Sequence, residues 1–336
     1  MHKMIFRAKL TSCRSFILLV TIGLVFLTVN FLLIWNQQQG PPQNICVCEP
    51  SFNVPGLGDN ERGKPPTEEV IQPKDEEDLI PNEPHLTTDT TQDHSEVYTH
   101  QLAVVVPFRD RYEEMMEFVP HIHKFLKRQK VQHKILIINQ ADRHRFNRAS
   151  LLNIGFLLSR DECDYMVMHD VDLLPLNDDL HYSYPDRGPL HISSPELHPL
   201  YHYPTFVGGI LIMSRTQFEQ VNGLSNLFWG WGREDDELYV RMKEKKMEVQ
   251  YPQGIKTGTG TFRHLHDREK RPRDQKKYFN QKEVSRKRDR KTGLNTVAYS
   301  VVSDVAMTIE GAPIRFVNVD LVCDYDLTPF CDNPTS

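Results

Sequence analysis

Three short aliphatic runs, 102–107 (LAVVVP), 134–139 (KILIIN) and 165–170 (YMVMHD), constrain this chain more than any other feature, because each successive pair encloses a helical pattern. The first enclosed segment, 113–129, carries Met116, Phe118, Val119, Ile122, Phe125 and Leu126; the second, 147–159, carries Leu151, Leu152, Ile154, Phe156, Leu157 and Leu158. Both approximate a 3.6-residue period, the first in spite of Pro120. Unbroken apolar runs of this length read as strands buried on both faces. Strand and helix in alternation imply an α/β fold with a mostly parallel central sheet flanked by helices. In such sheets ligands gather beyond the carboxyl ends of the strands. Those ends supply 108–111 (Phe-Arg-Asp-Arg), Asn139 and Gln140, and Asp170-Val-Asp172, so basic, polar and acidic groups collect on one edge.

The rest of the chain sets the compartment. Residues 16–35 are an almost continuous apolar run, and about 20 residues at a rise of 1.5 Å span the roughly 30 Å hydrocarbon layer. Lys3, Arg7, Lys9 and Arg14 precede it, whereas Gln37, Gln38 and Gln39 follow it. The positive-inside rule then leaves a short cytosolic tail and sends the remainder into the lumen. A cleaved signal peptide is the alternative, but the run is long for one and no small-x-small site follows. The expected organisation is a cytosolic tail (1–15), a membrane anchor formed by one N-terminal helix (16–35), a flexible lumenal stem (36–100) and a folded lumenal domain (101–336). The stem is rich in Pro, Asp, Glu, Asn and Thr, and too poor in apolar residues to offset the entropy of ordering. Of six cysteines, Cys323 and Cys331 close a short loop that can pair in an oxidising lumen, leaving Cys163 buried and reduced. Cys-x-x-Cys is absent, which argues against a structural zinc site. A basic run (Arg268, Lys270, Arg271, Arg273, Lys276, Lys277, Arg286, Lys287, Arg288, Arg290) would suggest nucleic acid in another compartment. In the lumen it fits a loop closing over an anionic nucleotide or attraction to acidic glycans, with plain solvation the expectation for most of its side chains.

Three motifs carry chemistry. In Asp170-Val-Asp172 the two-residue spacing puts both carboxylates on one side of an extended chain. Close carboxylates repel unless a cation intervenes, and hard oxygen ligands suit Mg²⁺ or Mn²⁺. His264-Leu-His266 directs two imidazoles to one face, and imidazole beside carboxylate favours Mn²⁺ or another transition metal. Zinc hydrolysis would use His-Glu-x-x-His, which does not occur. The stretch 228–237 (FWGWGREDDE) joins two tryptophans to four acids; aromatic faces stack on pyranose rings, and a helix N-terminus fixes carboxylates rigidly. Arg109, Arg111 and the 145–148 segment (Arg-Phe-Asn-Arg) offer guanidinium groups for phosphate oxygens.

With these motifs in order, the sequence resembles the β1,4-galactosyltransferase family of the GT-A superfold across roughly 102–333. The resemblance is carried by 107–111 (PFRDR), 146–148 (FNR), Asp170-Val-Asp172, 206–209 (FVGG), 229–236 (WGWGREDD) and the histidine motif. Within the family it is most similar to the xylose-directed members. Arg233 stands where lactose-type members have glycine, and His264-Leu-His266 replaces their Met…His metal pattern. The resemblance implies a GT-A-type nucleotide-sugar-binding fold and Mn²⁺ on Asp172, His264 and His266. It implies UDP held by Pro107, Phe108, Arg109, Asp110, Arg111, Phe146, Asn147, Arg148, Val171 and Arg273. Tyr201 and Trp231 would line the donor and acceptor pockets, Arg233, Glu234 and Asp236 would orient sugar hydroxyls, and Asp235 would be the catalytic base. The implied reaction is inverting transfer of galactose from UDP-galactose to O4 of xylose on proteoglycan core proteins, within the glycosaminoglycan linkage tetrasaccharide, at the Golgi membrane. Two alternatives are a lactosamine-type enzyme acting on N-acetylglucosamine and a non-catalytic Golgi glycan-binding protein. The latter predicts a missing metal ligand or base, and neither is missing.

Overall fold

The computed structural model describes residues 99–333. The expected tail and anchor, all but the last residues of the expected stem, and Cys13, Cys46 and Cys48 lie outside the described residues. No helix among the described residues is long and apolar enough to cross a membrane.

The three expected strands are β1 (Leu102–Phe108), β2 (His133–Gln140) and β3 (Tyr165–His169), enclosing α1 (Tyr112–Arg128) and α2 (Arg148–Ser159). Further along come β4 (Leu173–Pro175), β5 (Leu190–His191), β6 (Ile210–Ser214), α3 (Arg215–Gln220), α4 (Glu234–Glu244), β7 (Phe262–His264), α5 (Gln281–Val284), β8 (Tyr299–Ile309) and β9 (Ala312–Leu321). The main sheet has the order β5-β6-β3-β1-β2-β9-β8. Its centre, β3-β1-β2-β9, is parallel, as the alternation of strand and helix requires. Both edges are antiparallel, β6 on β3 and β8 on β9. The β8–β9 turn is two residues, Glu310 and Gly311, both at positive φ (47° and 80°), a conformation matched to strand twist that glycine makes easy. Because β8 is exposed along most of its length, it carries little apolar periodicity for sequence reasoning to find.

Alternation along β1 divides the core. Leu102, Val104, Val106 and Phe108 face α1 and pack with Phe118, Ile122 and Phe125. Ala103 and Val105 face α2 and pack with Leu151, Leu152 and Ile154. Each fully buried aromatic or aliphatic side chain of this kind contributes about 1.5–3 kcal/mol. A β-carbon on Gly155 of α2 would stand 2.2 Å from Val105 Cγ1, so glycine sets how closely this helix lies on the sheet. Cys323 and Cys331 form a disulfide with Cα atoms 6.1 Å apart, and Cys163 is buried and free.

The element that places the site is a second, two-stranded sheet. β4 and β7 pair antiparallel in the register Leu173↔His264, Leu174↔Arg263 and Pro175↔Phe262. This brings the histidine motif beside the end of the Asp170-Val-Asp172 segment.

Candidate active site

The ladder between β4 and β7 extends one step further, the Leu265 N–H donating to the Asp172 carbonyl at 2.7 Å. His264 and His266, on either side of Leu265, thereby flank the Asp172 carboxylate. His264 Nε2 lies 3.9 Å from Oδ1, and His266 Nδ1 lies 3.4 Å from Oδ2. Ligand atoms that share one small cation at about 2.0–2.6 Å stand roughly 3–4 Å apart, so each imidazole is within reach of an ion on Asp172. Arg111 Nη1 stands 3.2 Å from His266 Nδ1 and 3.5 Å from Asp172 Oδ2, however, and the three ligand atoms do not all close to within 4.8 Å of one another. Burial alone would raise the Asp172 carboxyl, but His266, His264 and Arg111 outweigh it and hold it below the usual carboxylate range. Burial, and then His266, pushes the His264 imidazole down against the pull of Asp172. Both shifts run toward the forms a metal ligand set uses, a carboxylate and a neutral imidazole. His266 Nε2 is buried and without a hydrogen-bond partner. One carboxylate with two imidazoles suits a divalent transition ion such as Mn²⁺. Another potential triad, His144, Cys331 and Asp332, offers no thiolate, since the Cys331 sulfur is in the disulfide.

The two aspartates of the motif separate in role. Asp170 accepts a hydrogen bond from Arg148 Nε at 2.8 Å and is ion-paired with its Nη2 at 2.7 Å, while Asp172 faces the histidines. Arg148 also approaches Glu234 at 3.9 Å and so ties the end of β3 to the start of α4.

These groups line one cleft of about 1170 Å³, larger than a drug-sized ligand requires and ample for two substrates. Pro107, Arg109, Asp110, Arg111, Phe146, Arg148, Val171, Asp172, Tyr201, Trp231, Arg233, Glu234, Asp235, Asp236, His264 and Arg273 all border it. Three expected donor contacts do not. Phe108 is wholly buried, edge-on to Tyr112 and Phe316, because the alternation of β1 turns it into the core. Asn147 is also wholly buried; its side chain caps α2 by accepting from the Ser150 N–H at 3.0 Å and donates to the Asn226 carbonyl at 2.9 Å. Arg145, expected among the phosphate contacts, is likewise buried and does not border the cleft. Arg109 reaches the cleft, but its guanidinium is engaged by the Gln140, Asp142 and His144 carbonyls.

The acids stand at the N-terminus of α4, whose first turn is Glu234, Asp235, Asp236 and Glu237. Arg233 just before it has φ 80°, a left-handed conformation that costs a non-glycine residue about 1–2 kcal/mol. α4 is fixed from behind by buried Arg241, which donates to Glu237 at 2.8 Å and to the Thr292 carbonyl at 2.8 Å. Asp235 is half-buried by surface, yet deep enough in the cleft wall for desolvation to dominate. Burial, with the like charges of Glu234 and Asp236, pushes its carboxyl up to about 7 in spite of Arg148. Burial also raises Glu234, whose Oε2 has no hydrogen-bond partner. A carboxylate poised near neutrality, with a cation site elsewhere on the same cleft, is an arrangement for moving a proton beside a charged leaving group.

Several lining residues escaped sequence reasoning, among them Tyr203 and Tyr239, which add aromatic walls beside Phe206 of the 206–209 motif; Lys277 of the basic run adds a cation. A β-carbon on Gly208 would stand 2.7 Å from both Asp235 Oδ2 and the Phe206 ring, so this glycine makes the space the acid occupies. Its only sequence signal is the paired glycine in 206–209. Four of the ten side chains of the basic run are ion-paired within the fold: Lys270 with Glu113 at 3.8 Å, Arg271 with Glu114 at 3.4 Å, Arg288 with Glu244 at 2.9 Å and Arg290 with Glu244 at 3.6 Å. Arg273 does turn to the cleft, its guanidinium carbon 4.8 Å from the Trp231 ring centroid and 5.5 Å from that of Tyr201.

Comparison with known proteins gives concordant matches. Residues 70–185 match the family model described as the N-terminal region of glycosyl transferase group 7, and residues 188–268 the one described as the N-terminal domain of galactosyltransferase. Beta-1,4-galactosyltransferase 7 of Drosophila melanogaster is 56% identical over 235 residues, 69% of this chain and 73% of the relative. Xylosylprotein 4-beta-galactosyltransferase of Caenorhabditis elegans is 48% identical over 238 residues, 69% of this chain and 82% of the relative. The crystal structure of the catalytic domain of Drosophila beta-1,4-galactosyltransferase 7 in complex with xylobiose superposes with a TM-score of 0.69 at 56% identity, covering 70% of this chain and 99% of that one. A mutant of the same fly protein, in complex with manganese, UDP-Gal and xylobiose, also gives a TM-score of 0.69 at 56% identity, over 69% of this chain and 99% of that one.

Proposed function

Because this chain belongs to the β1,4-galactosyltransferase family, we propose that it transfers galactose from UDP-galactose to O4 of xylose on proteoglycan core proteins, in a Mn²⁺-dependent reaction that inverts the anomeric centre. The observation that carries this reading is a single cleft bordered both by Asp172, His264 and His266 and by Asp235. The relatives that act on xylosylprotein or were crystallised with xylobiose support xylose as the acceptor sugar. Bound at Asp172, His264 and His266, Mn²⁺ supplies Lewis-acid neutralisation of the diphosphate. The chain's own residues do the rest. Arg111, Arg148 and Arg273 offer positive charge to the nucleotide, with Pro107, Phe146 and Val171 against it. Trp231 gives the xylose ring an aromatic face, while Arg233, Glu234 and Asp236 take its hydroxyls. Asp235 accepts the proton from O4 as that oxygen bonds to the anomeric carbon and UDP departs from the opposite face.

The apolar run at 16–35, outside the described residues, supports a type II anchor that holds this domain in the Golgi lumen. The test of the function is incubation of the full-length chain with UDP-galactose, Mn²⁺ and either a xyloside or an N-acetylglucosaminide. A β1,4-linked product on the xyloside alone is expected. Product on the N-acetylglucosaminide instead would give the lactosamine reading, and binding without turnover the glycan-binding one.

Gly208→Ala tests the placement of the base. The new methyl group must displace Asp235 or Phe206, and a misplacement of about 1 Å costs on the order of a hundredfold in rate. kcat is expected to fall roughly to that extent with UDP–Mn²⁺ affinity unchanged, read by steady-state kinetics and calorimetry. An undiminished kcat would mean that Asp235 need not occupy this position.

A further inference from the structure

Arg145 lies in the loop between β2 and α2, with its guanidinium in the protein interior. It donates from Nε to Asp274 Oδ2 at 2.6 Å, from Nη1 to Gln281 Oε1 at 2.8 Å and the Phe330 carbonyl at 3.1 Å, and from Nη2 to the Lys276 carbonyl at 2.8 Å. Tyr278 stacks on it, the guanidinium carbon 5.0 Å from the ring centroid. Apart from Phe330, all these partners belong to residues 274–281, the segment that follows the histidine pair and its neighbour Arg273. The same segment grips the tryptophan turn by its backbone. The Trp231 N–H donates to the Asp274 carbonyl at 2.8 Å, Gln281 Nε2 donates to the Trp229 carbonyl at 2.6 Å, and Lys277 Nζ donates to the Trp231 carbonyl at 3.1 Å. Between them, the Gly230 N–H donates to the carbonyl of Phe146, the residue next to Arg145, at 2.9 Å. A β-carbon at Gly230 would stand 2.2 Å from Arg145 Nη2, so the guanidinium is packed directly against the turn.

We propose that Arg145 is a positioning residue: it fastens the segment after the metal-site histidines to the Trp231 turn, so that the acceptor platform is set only when that segment is seated. The inference rests on the galactosyltransferase reading above. A guanidinium presents five donors in a rigid planar fork, and four separate acceptors on two segments match that fork in one arrangement. A lysine ammonium keeps the charge but not the fork, and cannot hold the same acceptors together. The backbone of Trp231 then loses its fixed partner in Asp274. The ring is left without a settled orientation for the xylose, and water gains access to the donor.

The experiment measures full-length Arg145→Lys and Asp274→Asn beside the wild type. Asp274→Asn retains the carbonyl that receives the Trp231 N–H and removes only the charge that Arg145 holds. For both variants the KM for a xyloside is expected to rise by about tenfold or more, and the ratio of galactose released to water over galactose transferred to rise similarly. The KM for UDP-galactose should stay within about threefold, and the double variant should be little worse than Arg145→Lys alone, because both changes break one connection. A purely structural role predicts otherwise: a lower melting temperature with the acceptor KM and hydrolysis ratio of the wild type. That result in either variant overturns the proposal. Should the wild type itself give no product on xylosides, the functional reading fails instead, which separates the two.

Discussion

Asp235→Asn is expected to lose about 10²–10⁴-fold in galactose transfer, the span typical of removing a general base, while its affinity for UDP–Mn²⁺ stays within about twofold. Asparagine retains the shape of the side chain and the oxygen that accepts the Asp236 N–H at 3.1 Å, so the first turn of α4 has no reason to move. What it lacks is a group able to take the proton from O4. The pH profile of the wild type should carry the same signature. Burial and the neighbouring acids hold the Asp235 carboxyl up at about 7, so it is protonated on the acid side and cannot act as a base there. Transfer by the free enzyme, measured as kcat/KM for the xyloside, therefore rises with pH through about 7 and flattens above it. Stability runs the other way for this group. A raised carboxyl favours the folded state below its ordinary range, and that contribution is lost as pH rises through about 7. The asparagine variant, which never ionises, should thus melt no lower than the wild type at pH 8. Retained transfer, or a profile flat across neutrality, would remove Asp235 from the role of base.

Asp172→Asn is expected to weaken Mn²⁺ binding in the presence of UDP by well over tenfold. Changing even the partners that merely orient a ligand costs about 10–100-fold in metal affinity, so losing the anionic ligand itself should exceed the lower end of that range. The readout is Mn²⁺ affinity by calorimetry or by the spectrum of the bound ion, independent of turnover. Asp170→Asn is the informative contrast. Asp170 is held by Arg148 and not by the histidines, so its loss should disturb Arg148 and Glu234 more than Mn²⁺ affinity. Equal loss of metal by both variants would mean that the two aspartates share the ion after all.

Much of this was legible in the residues. Aliphatic periodicity placed β1, α1, β2, α2 and β3 within a few residues, because a buried strand and an amphipathic helix each write their contacts into their own segment. The cluster of acids after the tryptophans marked the start of α4 for the same reason. Elsewhere local pattern misled. Phe108 and Asn147 sit inside motifs that border the cleft, but the alternation of β1 and the capping geometry of α2 turn them inward. Arg145 and Arg148 are three residues apart with the same side chain, and only one borders the cleft. The basic run left a nucleotide loop, acidic glycans and plain solvation open, and only packing shows that Lys270 and Arg271 are matched to acids on α1 while Arg273 turns to the cleft.

The sequence by itself determined the order β1-α1-β2-α2-β3, the parallel pairing of those strands and the kinds of ligand and acid available, since these depend on residue type and short spacing. The tertiary structure alone decided that β7 pairs with β4 in the register that sets His264 and His266 against Asp172, that Asp170 goes to Arg148, and that Arg145 becomes a buried hub. Such choices turn on which of several competing partners each charge meets once distant segments are packed together, and no local pattern records the outcome of that competition.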